Sequence, residues 1–285
     1  MSSTSTPTST SPAGSALTAT PVPEEVGRLY DRLTALDTEA VGGSLHLGYW
    51  DVDDNDTPLV EAADRLTDEM TDRLRIVEGQ RVLDIGCGVG QPAMRIARRT
   101  GAHVTGIAIS KEQIARATAL AESAGLSDRV EFRHADAMEL PFPEDSFDAA
   151  VAIESIFHMP DRGRVLGEIR RVLRPGGRLV LTDFFERGPI PAEKQPAVDR
   201  LLRDFIMTLA RPEDYVPMLR DAGLRFVELS DITEQSVRQT FEQMSRGSQE
   251  MQTVFDDEAE EKFSPASMID VDEFGSVLLT AQKPL

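Results

Sequence analysis

Four residues in alternation, Asp84-x-Gly86-x-Gly88-x-Gly90, close a short apolar run and stand directly before Gln91-Pro92-Ala93. Glycines let the backbone pass close under a ligand, and a helix opened by proline in its first turn presents free N–H groups at the same spot. The stretch therefore reads as strand, glycine turn and helix, a seat for a nucleotide-like cofactor. Gly88-x-Gly90-x-x-Ala93 also meets the loose dinucleotide fingerprint. Cys87, the single cysteine, cannot form an internal disulfide and reads as a small residue in a crowded turn. Farther along, His158 and Asp183 follow apolar runs that read as strands. In a parallel sheet the reacting groups lie beyond the carboxyl ends of the strands, which is where both would fall. Imidazole titrates near neutral pH, so His158 is the candidate general base; the other reading is a loop histidine that holds the Met159-Pro160-Asp161 turn. Asp183 is placed to orient His158, to bind substrate or to cap the loop toward Phe184. His103 and His134 read as structural or exposed. No His, Cys or carboxylate pair has metal-ligand spacing, and no metal is expected.

The elements that must position these residues follow from periodicity. Val26, Leu29, Tyr30, Leu33 and Leu36 recur at three and four, one face of a helix over 24–36. Next comes Ser44-Leu45-His46-Leu47-Gly48-Tyr49-Trp50, with the only tryptophan and one of three tyrosines. These aromatics are either ordinary packing or a lid in which His46, Tyr49 and Trp50 close over the cofactor. A second amphipathic helix starts at Thr57-Pro58. Strands are expected over 102–109, from 130 toward Asp136, over 147–153 leading into Glu154-Ser155-Ile156-Phe157-His158, and over 178–182, with Asp183 at the end. Two further strands read over 225–229 and 276–282. Ser110-x-x-Gln113 is a capping box that opens a helix to about 124. Asp161 caps another, ended by Arg174-Pro175-Gly176-Gly177, and helices follow over 192–209 and 212–222. Strand and helix in this alternation imply an α/β fold, Rossmann-like, with a mostly parallel sheet of seven strands and helices on both faces.

Residues 1–23 are mostly Ser, Thr, Pro, Ala and Gly and read as a disordered tail without a signal sequence. Residues 24–285 read as a single domain, with 24–76 as a helical lid and 233–273 as a helical cap inserted before the last strand, the usual place for substrate specificity. The chain of 285 residues carries 49 acids against 30 bases, a net charge of −19. Such a surface repels phosphate backbones and anionic membranes, so neither is an expected partner. No run is long enough to span a membrane, and the expected location is the cytoplasm. The apolar face of the first helix must be buried over the active site or on a neighbouring subunit, which leaves a homo-oligomer open.

The glycine turn resembles the first motif of the class I S-adenosylmethionine (SAM) methyltransferases. Tyr30-Asp31-Arg32-Leu33-Thr34, Leu45-His46-Leu47-Gly48-Tyr49-Trp50, Ala135-Asp136-Ala137-Met138, His158-Met159-Pro160-Asp161-Arg162 and Leu173-Arg174-Pro175-Gly176-Gly177 are similar to segments of the actinomycete natural-product members. That set includes the rifamycin-pathway and rebeccamycin sugar O-methyltransferases and the teleocidin and spinosyn enzymes that promote ring formation. The resemblance implies SAM as cofactor and S-adenosylhomocysteine as product. It implies cofactor contacts at Asp84, Gly86, Cys87, Gly88, Gly90, Gln91, Ile109, Ser110, Gln113 and Glu154, with Asp136, Ala137 and Met138 holding adenine. The acid that grips the ribose in the family falls at Ala108, a gap that also counts against NAD. Gln113 offers a polar substitute, or serves only in the capping box. The implied substrate is a small, apolar natural product, contacted by Tyr30, His46, Tyr49, Trp50 and Phe157, with methyl transfer to oxygen or, as the alternative, to an isoprenoid alkene with cyclisation, or to nitrogen. A protein that binds ligand on this fold without catalysis is the remaining reading.

Overall fold

In the computed structural model, residues 20–35, 46–51, 56–246 and 263–285 are described. The expected tail therefore lies almost wholly outside the described residues, as do parts of the expected lid and cap.

Seven runs pair into one sheet: β1 (Arg81–Ile85), β2 (His103–Ala108), β3 (Val130–His134), β4 (Phe147–Ala152), β5 (Leu173–Glu186), β6 (Arg225–Asp231) and β7 (Phe274–Gln282). Their order across the sheet is β3-β2-β1-β4-β5-β7-β6. The first five run parallel, and β7 runs antiparallel between β5 and β6. Eight helices accompany them among the described residues: α1 (Pro23–Ala35), α2 (Leu59–Leu74), α3 (Gln91–Thr100), α4 (Lys111–Ser123), α5 (Arg162–Val172), α6 (Gln195–Asp204), α7 (Pro212–Asp221) and α8 (Thr233–Arg246).

Successive strand side chains point to opposite faces, and the core divides accordingly. Val82, Ala149, Val180 and Leu278 pack with Met70 of α2, Ile96 of α3, Leu201 of α6 and Phe241 of α8. Their chain neighbours Leu83, Ala150, Leu179 and Leu279 pack with Ile169 of α5 and Leu219 of α7 on the other side. Both faces being covered, the central strands read as continuous apolar runs. β1 has β2 on one side and β4 on the other, so the chain reverses its winding there. A crevice opens beyond the carboxyl ends of β1 and β4, where ligands bind in open α/β sheets.

Three expectations need correction. Strand five is much longer than 178–182, because antiparallel β7 pairs with it as far as Glu186 opposite Phe274. Asp183 consequently lies inside the strand, opposite Val277, and not at its end. The helix expected over 192–209 stops at Asp204, since Ile206 turns to a positive φ of 54°. The aromatic lid is also not a lid at Trp50. That ring is fully buried, its indole N–H donates to the Thr57 carbonyl (2.9 Å), and its backbone N–H donates to the Gln235 carbonyl (2.8 Å). Tyr49 is tied to α2 through its backbone N–H and the Ala62 carbonyl (2.8 Å) and packs on the core. The segment 46–51 is a strap stitched between α2 and α8.

α1 lies across α4. Leu29 and Leu33 are buried, and Ser110 Oγ donates to Asp31 Oδ1 (2.6 Å) while accepting the Gln113 N–H that begins α4. Val26, Leu29 and Leu33 of the expected apolar face are thus covered within the chain, while Leu36 lies outside the described residues. No helix among the described residues is long and apolar enough to cross a membrane.

Candidate active site

The crevice is a cavity of about 1180 Å³, mouth included. β1 contributes Asp84 and the turn Gly86, Cys87, Gly88 to its wall, α3 contributes Gln91, β2 and its exit give Ile107 to Ile109, and Gln113 comes from α4. Asp136 and Ala137 stand after β3, and Glu154 and His158 after β4. Tyr30 and Leu33 reach down from α1, and His46 from the strap. Gly88 holds a positive φ of 55°, and a Cβ there would meet only Gln113 at 3.8 Å, so the glycine leaves its space to the cavity. Only the serine half of the capping box forms, which frees the Gln113 side chain to face the same space.

A second, smaller chamber of about 670 Å³ adjoins the first and shares Tyr30, Leu33, His46 and Glu154 with it. Phe157, Phe184, Phe205, Phe241 and Phe263 line it together with Leu47, Leu201, Met207, Thr240 and Met244. None of these lining residues is Lys or Arg. The two chambers therefore differ in chemistry: one has glycines, carboxylates and amides, the other five aromatic rings.

The groups at the junction are tightly held. His158 ends a 3-10 turn (Ile156–His158) and is buried. Its Nδ1 lies 3.1 Å from the Ile206 carbonyl, which can only accept, so Nδ1 carries the proton and Nε2 is left as acceptor for the Tyr30 hydroxyl at 2.7 Å. Burial pushes the His158 pKa down to about 4, with the Arg162 charge acting the same way against the Ile206 bond. The imidazole is neutral over the physiological range. Burial and the Glu154 charge together push the Tyr30 phenol well up. Glu154 sits in a left-handed backbone conformation, φ 45°, uncommon outside glycine, and accepts the Leu47 N–H at Oε1 (2.8 Å). Burial raises its pKa to about 8. Asp84 is raised to about 7 by burial, and its Oδ2 has no partner among the described residues.

Several expected site residues stand elsewhere. Asp183 lines neither chamber and is gripped by Arg162 (Nε to Oδ2 2.9 Å), so it does not touch His158. Gly90 caps α3 against Phe132, Ser110 caps α4, and Met138 donates its backbone N–H to Asp136 Oδ1 (2.8 Å), which fixes the Asp136 turn from behind. Tyr49 and Trp50 belong to the core described above. Phe157 does line a chamber, the apolar one. Sequence reading missed most of that chamber; the spacing of Leu201 and Phe205, and of Phe241 and Met244, on single helical faces was the available signal.

A family model described as a methyltransferase domain matches residues 83–181, from β1 through the first half of β5. The methyltransferase GfsG of Streptomyces halstedii is 40% identical over 263 residues, 91% of this chain and 94% of that protein. The chain belongs to the SAM-dependent methyltransferases. The 27-O-demethylrifamycin SV methyltransferase of Amycolatopsis mediterranei is 44% identical over 216 residues, 75% of this chain and 78% of that one. Among solved structures, the cyclase SpnF superposes with a TM-score of 0.79 at 33% identity, covering 95% of this chain and 100% of its own. The geranyl diphosphate C-methyltransferase from Streptomyces coelicolor A3(2), solved with S-adenosylhomocysteine, superposes at 0.76 with 20% identity, covering 93% and 99% of the two chains, a likeness of fold.

The cofactor of this methyltransferase is SAM, and the larger chamber fits it. An orphaned buried carboxylate oxygen, a glycine that leaves its Cβ space open, and amide and acid side chains in the lining suit a cation with an amino acid end and a nucleoside end. The site offers no acid at Ala108; Gln113 and Asp136 are the polar groups flanking that gap.

Proposed function

We propose that this methyltransferase transfers the methyl group to a hydroxyl oxygen of a small, largely apolar natural product, with the Tyr30–His158 pair taking the proton. The observation that carries the reading is the position of that pair: Tyr30 faces both chambers, and behind it His158 offers a neutral Nε2 at 2.7 Å. The glycine turn, Gln113 and Asp136 would hold the cofactor, whose bound form supplies an electrophilic methyl group on sulfur. The Phe-lined chamber holds the acceptor and keeps water out, which aligns the nucleophile in a dry site. As the acceptor oxygen gives up its proton toward Tyr30, the phenol proton moves to His158 Nε2. The imidazolium so formed keeps its Nδ1–H on Ile206. An imidazole with a pKa near 4 accepts a proton only when negative charge stands by; Glu154, beside Tyr30 and lining both chambers, supplies it once ionised, which its pKa of about 8 places above neutral pH.

The rifamycin-pathway relative supports an oxygen acceptor in a natural product. The acid excess, −19 in net charge, opposes nucleic acid and anionic membranes as partners and suits a cytoplasmic enzyme for neutral small molecules. A second reading, alkene methylation with cyclisation, is favoured by the aromatic chamber and by the likeness to the cyclase SpnF. The test is a panel of acceptors with SAM, read by mass spectrometry: hydroxylated macrolactones and ansamycins, with 27-O-demethylrifamycin SV as one probe, against isoprenoid alkenes. The reading expects S-adenosylhomocysteine and an O-methyl ether from the hydroxylated set. Products methylated only on carbon, with ring closure, would replace it by the second reading.

A further inference from the structure

Asp183 stands outside the reacting centre, yet a continuous set of bonds leads from it to His158. Asp183 is fully buried in β5, and it takes two bonds from one guanidinium, Arg162 Nε to Oδ2 (2.9 Å) and Nη2 to Oδ1 (3.2 Å). Such a fork fixes the plane of the arginine. The other side of the same guanidinium holds Thr208, through Nη1 to Oγ1 (2.6 Å) and Nη2 to the carbonyl (2.8 Å). Thr208 in turn donates its N–H (3.0 Å) and its hydroxyl (3.1 Å) to the carbonyl of Phe157, the residue before His158. Two residues back, Ile206 sits at a positive φ of 54°, and its carbonyl receives the His158 Nδ1–H. A β-branched residue does not adopt that conformation unless its surroundings hold it there.

We propose that Arg162, clamped by Asp183, is a positioning residue: it pins the 206–208 turn so that the Ile206 carbonyl fixes the His158 tautomer, with Nε2 aimed at Tyr30 and the junction of the chambers. The inference rests on the reading of His158 as proton acceptor. It gives the buried Asp183 carboxylate a role that needs no contact with substrate. The titratable and charged groups around His158 are Tyr30 from α1, Glu154 beyond it at the end of β4, and Arg162 from α5; the 206–208 turn brings Ile206, Met207 and Thr208, and β5 brings Asp183, which balances Arg162. Arg162 thus acts on His158 by charge as well as by position, and the test must separate the two.

The chain has four histidines, so nitrogen-15 spectra of the side chains can be assigned to His158 by comparison with His158→Gln. In the wild type His158 should show a single Nδ1–H tautomer and stay neutral down to about pH 4. Arg162→Lys keeps the charge and loses the fork. It should admit the Nε2–H tautomer and, because the Ile206 bond is what holds the His158 midpoint up against burial, move that midpoint further below about 4. SAM affinity by calorimetry should change less than about twofold, as Arg162 lines neither chamber. Thr208→Val, which removes only the hydroxyl contacts, should shift the tautomer in the same direction and carries the test if Arg162→Lys fails to fold by circular dichroism. An unchanged tautomer and midpoint in folded Arg162→Lys and Thr208→Val would overturn the proposal, as would a shift seen in Arg162→Met alone, since charge would then suffice. If the spectra shift as expected while His158→Gln keeps its methyl-transfer rate, the positioning stands and the reading of His158 as acceptor falls.

Discussion

His158 and Glu154 are both desolvated by burial, and they bend the stability of the cofactor-free protein in opposite directions. The folded His158 has a pKa of about 4, below its ordinary 6.5, so between those values the unfolded chain binds a proton that the folded chain refuses. Stability from this residue is full above pH 6.5 and is lost as pH falls toward 4. At about 1.4 kcal/mol per pH unit the loss reaches on the order of 3 kcal/mol. Glu154, raised from 4.5 to about 8, does the reverse: the folded state holds a proton that the unfolded chain has lost, so its contribution declines as pH rises through that window. Urea melts at pH 4.5 and pH 7 should therefore show a smaller acid loss in His158→Gln than in the wild type, and melts at pH 6 and pH 8.5 a smaller alkaline loss in Glu154→Gln. Parallel curves for wild type and both variants would mean that neither side chain is desolvated as described.

At the scale of elements, α1 is a wall of the site and not an appendage. Its spacing of Val26, Leu29, Tyr30 and Leu33 was legible as a buried face, but periodicity cannot say what a face is buried against. The structure places it on α4 and over the larger chamber, with Pro23, Val26 and Thr34 also on the chamber wall. A chain starting at Thr20 keeps the Val22 carbonyl that receives the N–H groups of Glu25 and Val26, and should bind SAM as the full chain does. A chain starting at Thr38 loses the buried Val26, Leu29 and Leu33, each worth about 1.5 to 3 kcal/mol, and opens the chamber. Calorimetry should find SAM binding weakened at least about tenfold, or roughly 1.4 kcal/mol. Undiminished affinity in the shorter chain would remove α1 from the site. The strap teaches the converse. Its aromatics looked like a lid because a run of aromatic residues outside a fold has no periodicity to show which way it faces, and only its first two residues, His46 and Leu47, reach a chamber.

At the scale of the molecule, the sheet and the glycine turn were legible because burial repeats along the chain: strands covered on both faces are apolar throughout, and the turn residues are fixed by backbone geometry. The apolar chamber was not, since its walls come from the strap, the turn after β4, α6, α8 and Phe263, segments far apart in sequence and joined only by packing. The Asp183 expectation failed for a related reason. An acid at a strand's end is a reactive position only if the strand ends there, and β7, nearly a hundred residues later, carries the pairing past it. What the assembled molecule offers is a polar chamber and an aromatic chamber that meet at Tyr30, Leu33, His46 and Glu154, the proposed seats of cofactor and acceptor, with His158 behind Tyr30. The most direct test is the single-turnover rate of methyl transfer to a hydroxylated acceptor from the panel, in wild type and His158→Gln, with SAM affinity measured alongside. The account predicts a rate lower by about 100- to 10,000-fold in the variant, with SAM affinity unchanged. A wild-type rate and the same O-methyl product from His158→Gln would contradict it.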